Sequence, residues 1–151
     1  MAEFTYNQEQ TVSYGQNVLL NTSIGCNKGY VIHRNGSGLV TLRGIVNNPC
    51  ATFARYQVTF NGNIAVPEDG TAGPISVAIA IDGEPLQTSK AIVTPTVVDA
   101  YFNVTSTAII TVPTCCCSTI SVENTSDPTT ASAPGSSINV QNANLVVTRI
   151  A

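Results

Sequence analysis

The stretch Pro74-Ile75-Ser76-Val77-Ala78-Ile79-Ala80-Ile81, followed by Asp82-Gly83, decides the fold class. Successive side chains of an extended chain point to opposite faces, so Ile75, Val77, Ile79 and Ile81 share one side and Ser76, Ala78 and Ala80 the other. The first side is the apolar face of a packed sheet. The second is small and barely polar, which predicts that another surface lies close against it. Asp82-Gly83 tolerates the positive φ of a tight hairpin, so the chain turns back into residues 84–93.

The rest of the chain has the same texture. Of 151 residues, Val, Ile and Thr supply 49, whereas Leu, Met, Glu and Lys supply only 14. β-Branched side chains lose rotamer freedom in a helix and pack well on a pleated surface. The chain therefore reads as all-β, which excludes helical bundles, coiled coils and doubly wound α/β enzymes. Further strands are expected at 16–24, 30–34, 39–46, 53–60, 63–66, 97–112, 119–124 and 138–150. Asn35-Gly36-Ser37-Gly38, Asn47-Asn48-Pro49, Asn61-Gly62 and the Ser/Thr/Pro-rich segment 125–137 separate them. In the last strand Ile138 and Val140 lie on one side but Ala143, Leu145 and Val147 on the other, which predicts a bulge near Asn142 or a strand covered on both faces. About nine or ten strands at this spacing suit one jelly-roll sandwich of antiparallel strands. An immunoglobulin-like sandwich fits less well, since the chain has no Trp.

Charge narrows the function. Only 10% of residues are charged and the net charge is −3, against about 25% charged in an average domain. Six basic residues make no positive stripe for a phosphate backbone, so nucleic acid is excluded as a partner. The longest apolar run, 75–81, falls far short of the ~20 residues that span a bilayer, so no membrane partner is expected. Met1-Ala2-Glu3-Phe4-Thr5-Tyr6-Asn7 has neither a basic region nor an apolar run and does not read as a secretory signal, which places synthesis in a cytosol. So weakly charged a chain is expected to bury surface against copies of itself.

Nothing in the sequence assembles a catalytic constellation, and no cofactor is expected. His33 is the sole histidine, no Gly-x-Ser-x-Gly elbow is present, and Asn35-Gly36-Ser37-Gly38 precedes no helix. His33 reads as a strand-surface residue. Glu68-Asp69 and Asp82 with Glu84 read as solvated loop acids whose spacing matches no calcium motif. A loop-based hydrolase using Glu68, Asp69, Asp82 and His33 is the weakest alternative. Cys26, Cys50, Cys115, Cys116 and Cys117 leave three readings open: buried or free thiols, pairing of Cys26 or Cys50 with the triple run after release from the cell, or a metal shared by copies at a symmetry axis. Tyr14, Tyr30, Tyr56, Tyr101 and Phe102 read either as packing residues or as anchors for a sugar or receptor.

Ile120-Ser121-Val122-Glu123-Asn124, then 138–150, resembles the final strand pair of the tumour-necrosis-factor-like and complement-like jelly rolls. The form is that of the C-terminal domains of collagen-like spore-surface glycoproteins. The stretch 56–64, followed by 75–84, is similar to the central strands of that group. The chain also resembles head-fibre or capsid-decoration proteins of tailed phages, across roughly residues 14–151. The resemblance implies a ten-stranded jelly roll assembled as a homotrimer, with residues 1–13 as an arm attaching to a capsid or stalk protein. It also implies display on a virion surface, with host-surface carbohydrate as a candidate ligand. A lectin-like or adhesin module on a cell or spore surface is the alternative. Three sandwiches around an axis would bury Ser76, Ala78 and Ala80, or the apolar side of 97–112 with Tyr101 and Phe102. Burying ~1,000 Å² of apolar surface is worth on the order of 25 kcal/mol before association costs.

Overall fold

A computed structural model describes residues 1–25, 29–44, 50–126 and 136–151. Among them twelve strands form two six-stranded sheets. The strands are β1 (Ala2–Tyr6), β2 (Gln10–Val12), β3 (Thr22–Gly25), β4 (Val31–His33), β5 (Val40–Arg43), β6 (Phe53–Ala65), β7 (Ile75–Ile81), β8 (Glu84–Pro85), β9 (Ala91–Val93), β10 (Phe102–Pro113), β11 (Cys117–Asn124) and β12 (Ile138–Arg149). The first sheet has the order β10-β6-β12-β1-β3, with β2 also on β12. The second has the order β4-β5-β11-β7-β8, with β9 also on β7. Every pairing is antiparallel.

Alternation explains why the sheets face each other. Ala54, Tyr56, Val58, Phe60 and Ile64 of β6 point into one core with Phe4, Val112, Leu145 and Val147. Val40, Leu42, Ile75, Val77, Ile79, Ile120 and Val122 come from the opposing sheet. The phase change in β12 is resolved as a bulge: the pairing with β6 slips between Gln141 and Asn144, and Asn142 adopts φ 54°. Asn tolerates that left-handed conformation better than a branched residue would, so Val140 and Leu145 both face inward.

Four expectations are corrected. Residues 1–13 are not a segment apart from the jelly roll: β1 lies between β12 and β3, and β2 pairs with β12. Asn61-Gly62 is not a turn, because β6 continues to Ala65 with β10 and β12 on either side. Glycine suits position 62, since a Cβ there would stand 2.8 Å from the tip of the buried Phe60 ring. Residues 84–93 are not one strand but β8, a 3-10 turn at Gln87–Ser89 and β9. Residues 16–24 likewise divide. Val18 N–H bonds Val122 O in the second sheet, Asn21 N–H bonds Thr5 O in the first, and β3 follows. The turn at 47–49 and most of the loop at 125–137 lie outside the described residues.

Candidate interaction surfaces

The outer face of the first sheet is broad and nearly uncharged. Register sets Ile24, Glu3, Val146, Thr59 and Thr107 side by side across its five strands, with Thr22, Thr5, Asn144, Asn61 and Thr105 as the next row. Beyond them lie Thr148, Gln57 and Ile109. Among the described residues, the two charged ones of this face are both engaged. Glu3 accepts a hydrogen bond from Asn144 Nδ2 at 2.5 Å, and the Arg55 guanidinium sits 4.7 Å over the Phe53 ring. Asn103 Nδ2 donates to Asn61 Oδ1 at 2.8 Å and to Asn63 Oδ1 at 3.1 Å, tying β10 to β6 across the same face. Removing such a face from water strips few ionic shells, and charge depletion of this kind marks the centres of protein interfaces.

Beside it runs the β9–β10 edge. Sheet edges are normally blunted with charges, yet Phe102–Pro113 contains none over 12 residues. Its middle is tied down by Ser106 Oγ, which donates to Ser89 O. Around this edge Ile92, Val97, Phe102 and Ile109 are between 43% and 64% exposed. Of the residues expected at a contact between copies, Phe102 is therefore on open surface. Tyr101 is half-buried and donates its hydroxyl to Glu9 Oε2. Ser76, Ala78 and Ala80 are 3% exposed or less within one chain and add no area to an interface. Their small size reflects packing inside the subunit: Ser76 Oγ, for example, bonds Thr125 Oγ1 at 2.9 Å.

At one end of the sandwich a cleft of about 510 Å³ is lined by Thr11, Pro67, Glu68, Asp69, Ser137 and Asn139. Thr11 Oγ1 donates to Asn139 Oδ1 at 2.9 Å. Burial, and then the hydrogen bond and charge of Glu9, push the nearby Tyr101 phenol up to about 12. The cleft brings Glu68 and Asp69 together with amide and hydroxyl groups. Asp82 is elsewhere, accepting from Thr119 N–H at 2.7 Å. Among the described residues, no group of three or more His, Cys, Asp or Glu is placed to hold a metal ion.

His33 is corrected from a surface to a buried residue, at 8% exposure. Its ring lies 4.7 Å from that of Phe4, Nδ1 is 3.1 Å from Ser23 Oγ, and Nε2 is 2.9 Å from Ser37 O. Ser23 Oγ donates to Asn35 Oδ1 at 3.0 Å, and the ring nitrogen remote from Ser23 faces the Ser37 carbonyl, so a backbone carbonyl stands where a hydrolase would hold an orienting carboxylate. Tyr56 is wholly buried, while Tyr14 and Tyr30 are exposed. Cys50, Cys115, Cys116 and Cys117 are exposed, and Cys26 lies outside the described residues.

The outer-face residues Thr59, Val146 and Ile24 were not legible as a site, because only strand order makes them neighbours. The uncharged run 102–113 was the one available signal for the edge.

No protein-family model matches the chain, and no curated protein does. Among solved structures, the globular domain of a zebrafish complement 1qA protein is similar. The two superpose with a TM-score of 0.58 at 13% identity, over 96% of this chain and 94% of that one. The chain thus has a complement C1q-like jelly-roll fold, a two-sheet antiparallel sandwich.

Proposed function

We propose that this protein is a non-enzymatic structural and binding subunit that works as a threefold trimer. In this reading the trimer is displayed on the virion surface of a tailed phage as a head-fibre or capsid-decoration knob. One observation carries the assembly: the uncharged β10 edge with exposed Ile109, Phe102, Ile92 and Val97 adjoins a broad face that bears, among the described residues, only two charged ones, both engaged. An edge of one copy set against the outer face of the next is a heterologous contact, and three such contacts close a ring with no open end. The sequence resemblance to phage surface proteins supports the location. The cleft between Thr11, Glu68, Asp69 and Asn139 offers hydroxyl, amide and carboxylate groups suited to the hydroxyls of host-surface glycans.

Antibody labelling of purified particles tests the location, and decoration at regular surface positions is the expected result. Protein recovered only in the particle-free fraction would overturn the virion role. A glycan array probed with the wild-type chain and with the Asp69→Asn variant tests the ligand. Loss of a sugar signal in the variant supports the cleft, and absence of any signal with the wild type removes it.

A further inference from the structure

We propose that the turn carrying Cys115, Cys116 and Cys117 is a site of thiol–disulfide exchange through which one copy of this chain is joined covalently to another. The turn is held firmly in place. Thr114 N–H donates to Thr52 O at 2.9 Å, and its hydroxyl donates to Ala51 O at 2.8 Å. Cys116 N–H bonds Pro113 O at 3.1 Å, and Cys116 O accepts from Gly44 N–H at 2.8 Å. The close approach of Gly44 depends on its lack of a side chain, since a Cβ there would stand 1.9 Å from Pro113 O.

Cys115 sits at φ 61°, a left-handed conformation that suits Gly or Asn at the third position of such a turn. A cysteine adopts it only with strain, and strained residues gather at functional sites. The three thiols are all exposed on this fixed platform, although Cys is among the side chains most often found buried. Cys117 stands directly opposite Arg43 in the β5–β11 ladder, with both side chains exposed. At the same end of the sandwich the Arg149 guanidinium lies 4.1 Å over the Tyr30 ring. This cationic setting draws in an anionic disulfide such as oxidised glutathione.

The exchange balances in two steps. A thiolate of the turn attacks one sulfur of oxidised glutathione, giving a mixed disulfide and releasing one glutathione thiolate. A thiolate of the second copy then attacks the protein sulfur of that mixed disulfide and releases the other. Two protein thiols are oxidised to one disulfide, and one oxidised glutathione is reduced to two thiols. Directly adjacent cysteines, 115 with 116 and 116 with 117, compete poorly for this bond, because Cα atoms across a trans peptide are about 3.8 Å apart and disulfides need roughly 4.4–6.8 Å. A link between Cys115 and Cys117 is the competing outcome that the mass of the monomer detects. Identical copies meeting at this end supply both sulfurs without that constraint.

The proposal does not rest on the threefold reading, which sedimentation under reducing conditions tests separately. The full chain is incubated with oxidised glutathione, its remaining thiols are blocked, and it is run on a denaturing gel without reductant. A dimer band with higher species, reversed by dithiothreitol, is expected. Mass spectrometry should map the cross-linked peptide to residues 115–117. The Cys115→Ser/Cys116→Ser/Cys117→Ser variant should lose at least tenfold of the cross-linked material, whereas Cys50→Ser should keep it. If the triple variant fails to fold, the peptide map of the unaltered chain decides. A monomer two hydrogens lighter, a monomer bearing only glutathione adducts, or a cross-link mapped to Cys26 or Cys50 would overturn the proposal.

Discussion

Replacing Tyr56 by Phe removes one hydroxyl and leaves the core otherwise intact. The ring is wholly buried in β6, and its hydroxyl crosses the sandwich to donate to Arg43 O at 2.5 Å, the last carbonyl of β5. Phe keeps the ring contacts, so the change removes the bond to Arg43 O, with a longer contact to Tyr30 O at 3.4 Å, and strands the acceptor. Such a bond contributes about 1 kcal/mol net, and an unpaired buried acceptor costs about 1–3 kcal/mol. The bond is only part-buried, which places the expected loss in the lower part of that range, about 1–2 kcal/mol. For a domain of this size that lowers Tm by about 2–8 °C, read by circular dichroism at one fixed protein concentration.

The pH dependence gives a second signature. Burial, only partly opposed by the Arg149 charge, raises the Tyr56 phenol above its ordinary value of 10.0. A folded-state pKa raised above the unfolded one contributes stability that is fully present below pH 10 and lost as pH climbs through the raised value. The gap between wild type and Tyr56→Phe should therefore narrow above pH 10. An unchanged Tm at neutral pH, or a gap that widens in alkali, would refute the assignment of this hydroxyl as a link between the sheets.

Ile109→Asp, on the outer side of β10, should leave the fold of each chain unaltered but weaken its assembly. Losing about 1–2 kcal/mol of apolar contact per copy in a closed trimer raises the half-dissociation concentration roughly 10- to 100-fold, measured by sedimentation across a dilution series. Gly44→Ala should cost about 1–3 kcal/mol in urea unfolding, because the added methyl drives against Pro113 O. Burial, and then the charge of Glu84, raise the Glu123 carboxyl above 4.5. Wild type should accordingly gain stability as pH falls through the window just above 4.5, and Glu123→Gln should flatten that slope in urea midpoints. Tyr101→Phe should likewise flatten the loss of stability between pH 10 and about 12, followed by thermal melts.

Local pattern revealed those elements whose local chemistry also governs their place in the fold. The alternation of 75–81, the Asp82-Gly83 turn (φ 51° and 87°) and the phase change around Asn142 all reappear where the side-chain periods put them. β1 escaped because Ala2, Phe4 and Tyr6 make an alternation too short to read, and its partners β12 and β3 lie far along the chain. Asn61-Gly62 misled because a dipeptide that favours turns is overridden when strands pair on both sides and a neighbouring ring fills the missing Cβ. His33 gave no sign of burial, since its partners Phe4, Ser23 and Ser37 come from β1, β3 and a loop that only the fold brings together. The outer face of the first sheet was hidden for the same reason, as each strand contributes two or three unremarkable residues, Thr and Asn most often.

Sedimentation velocity on the reduced wild-type chain at low micromolar concentration bears most directly on the proposed mode of action. A single species at three times the 15.8 kDa chain mass is the predicted outcome. A stable boundary at one chain mass, unchanged as the concentration rises, would contradict it.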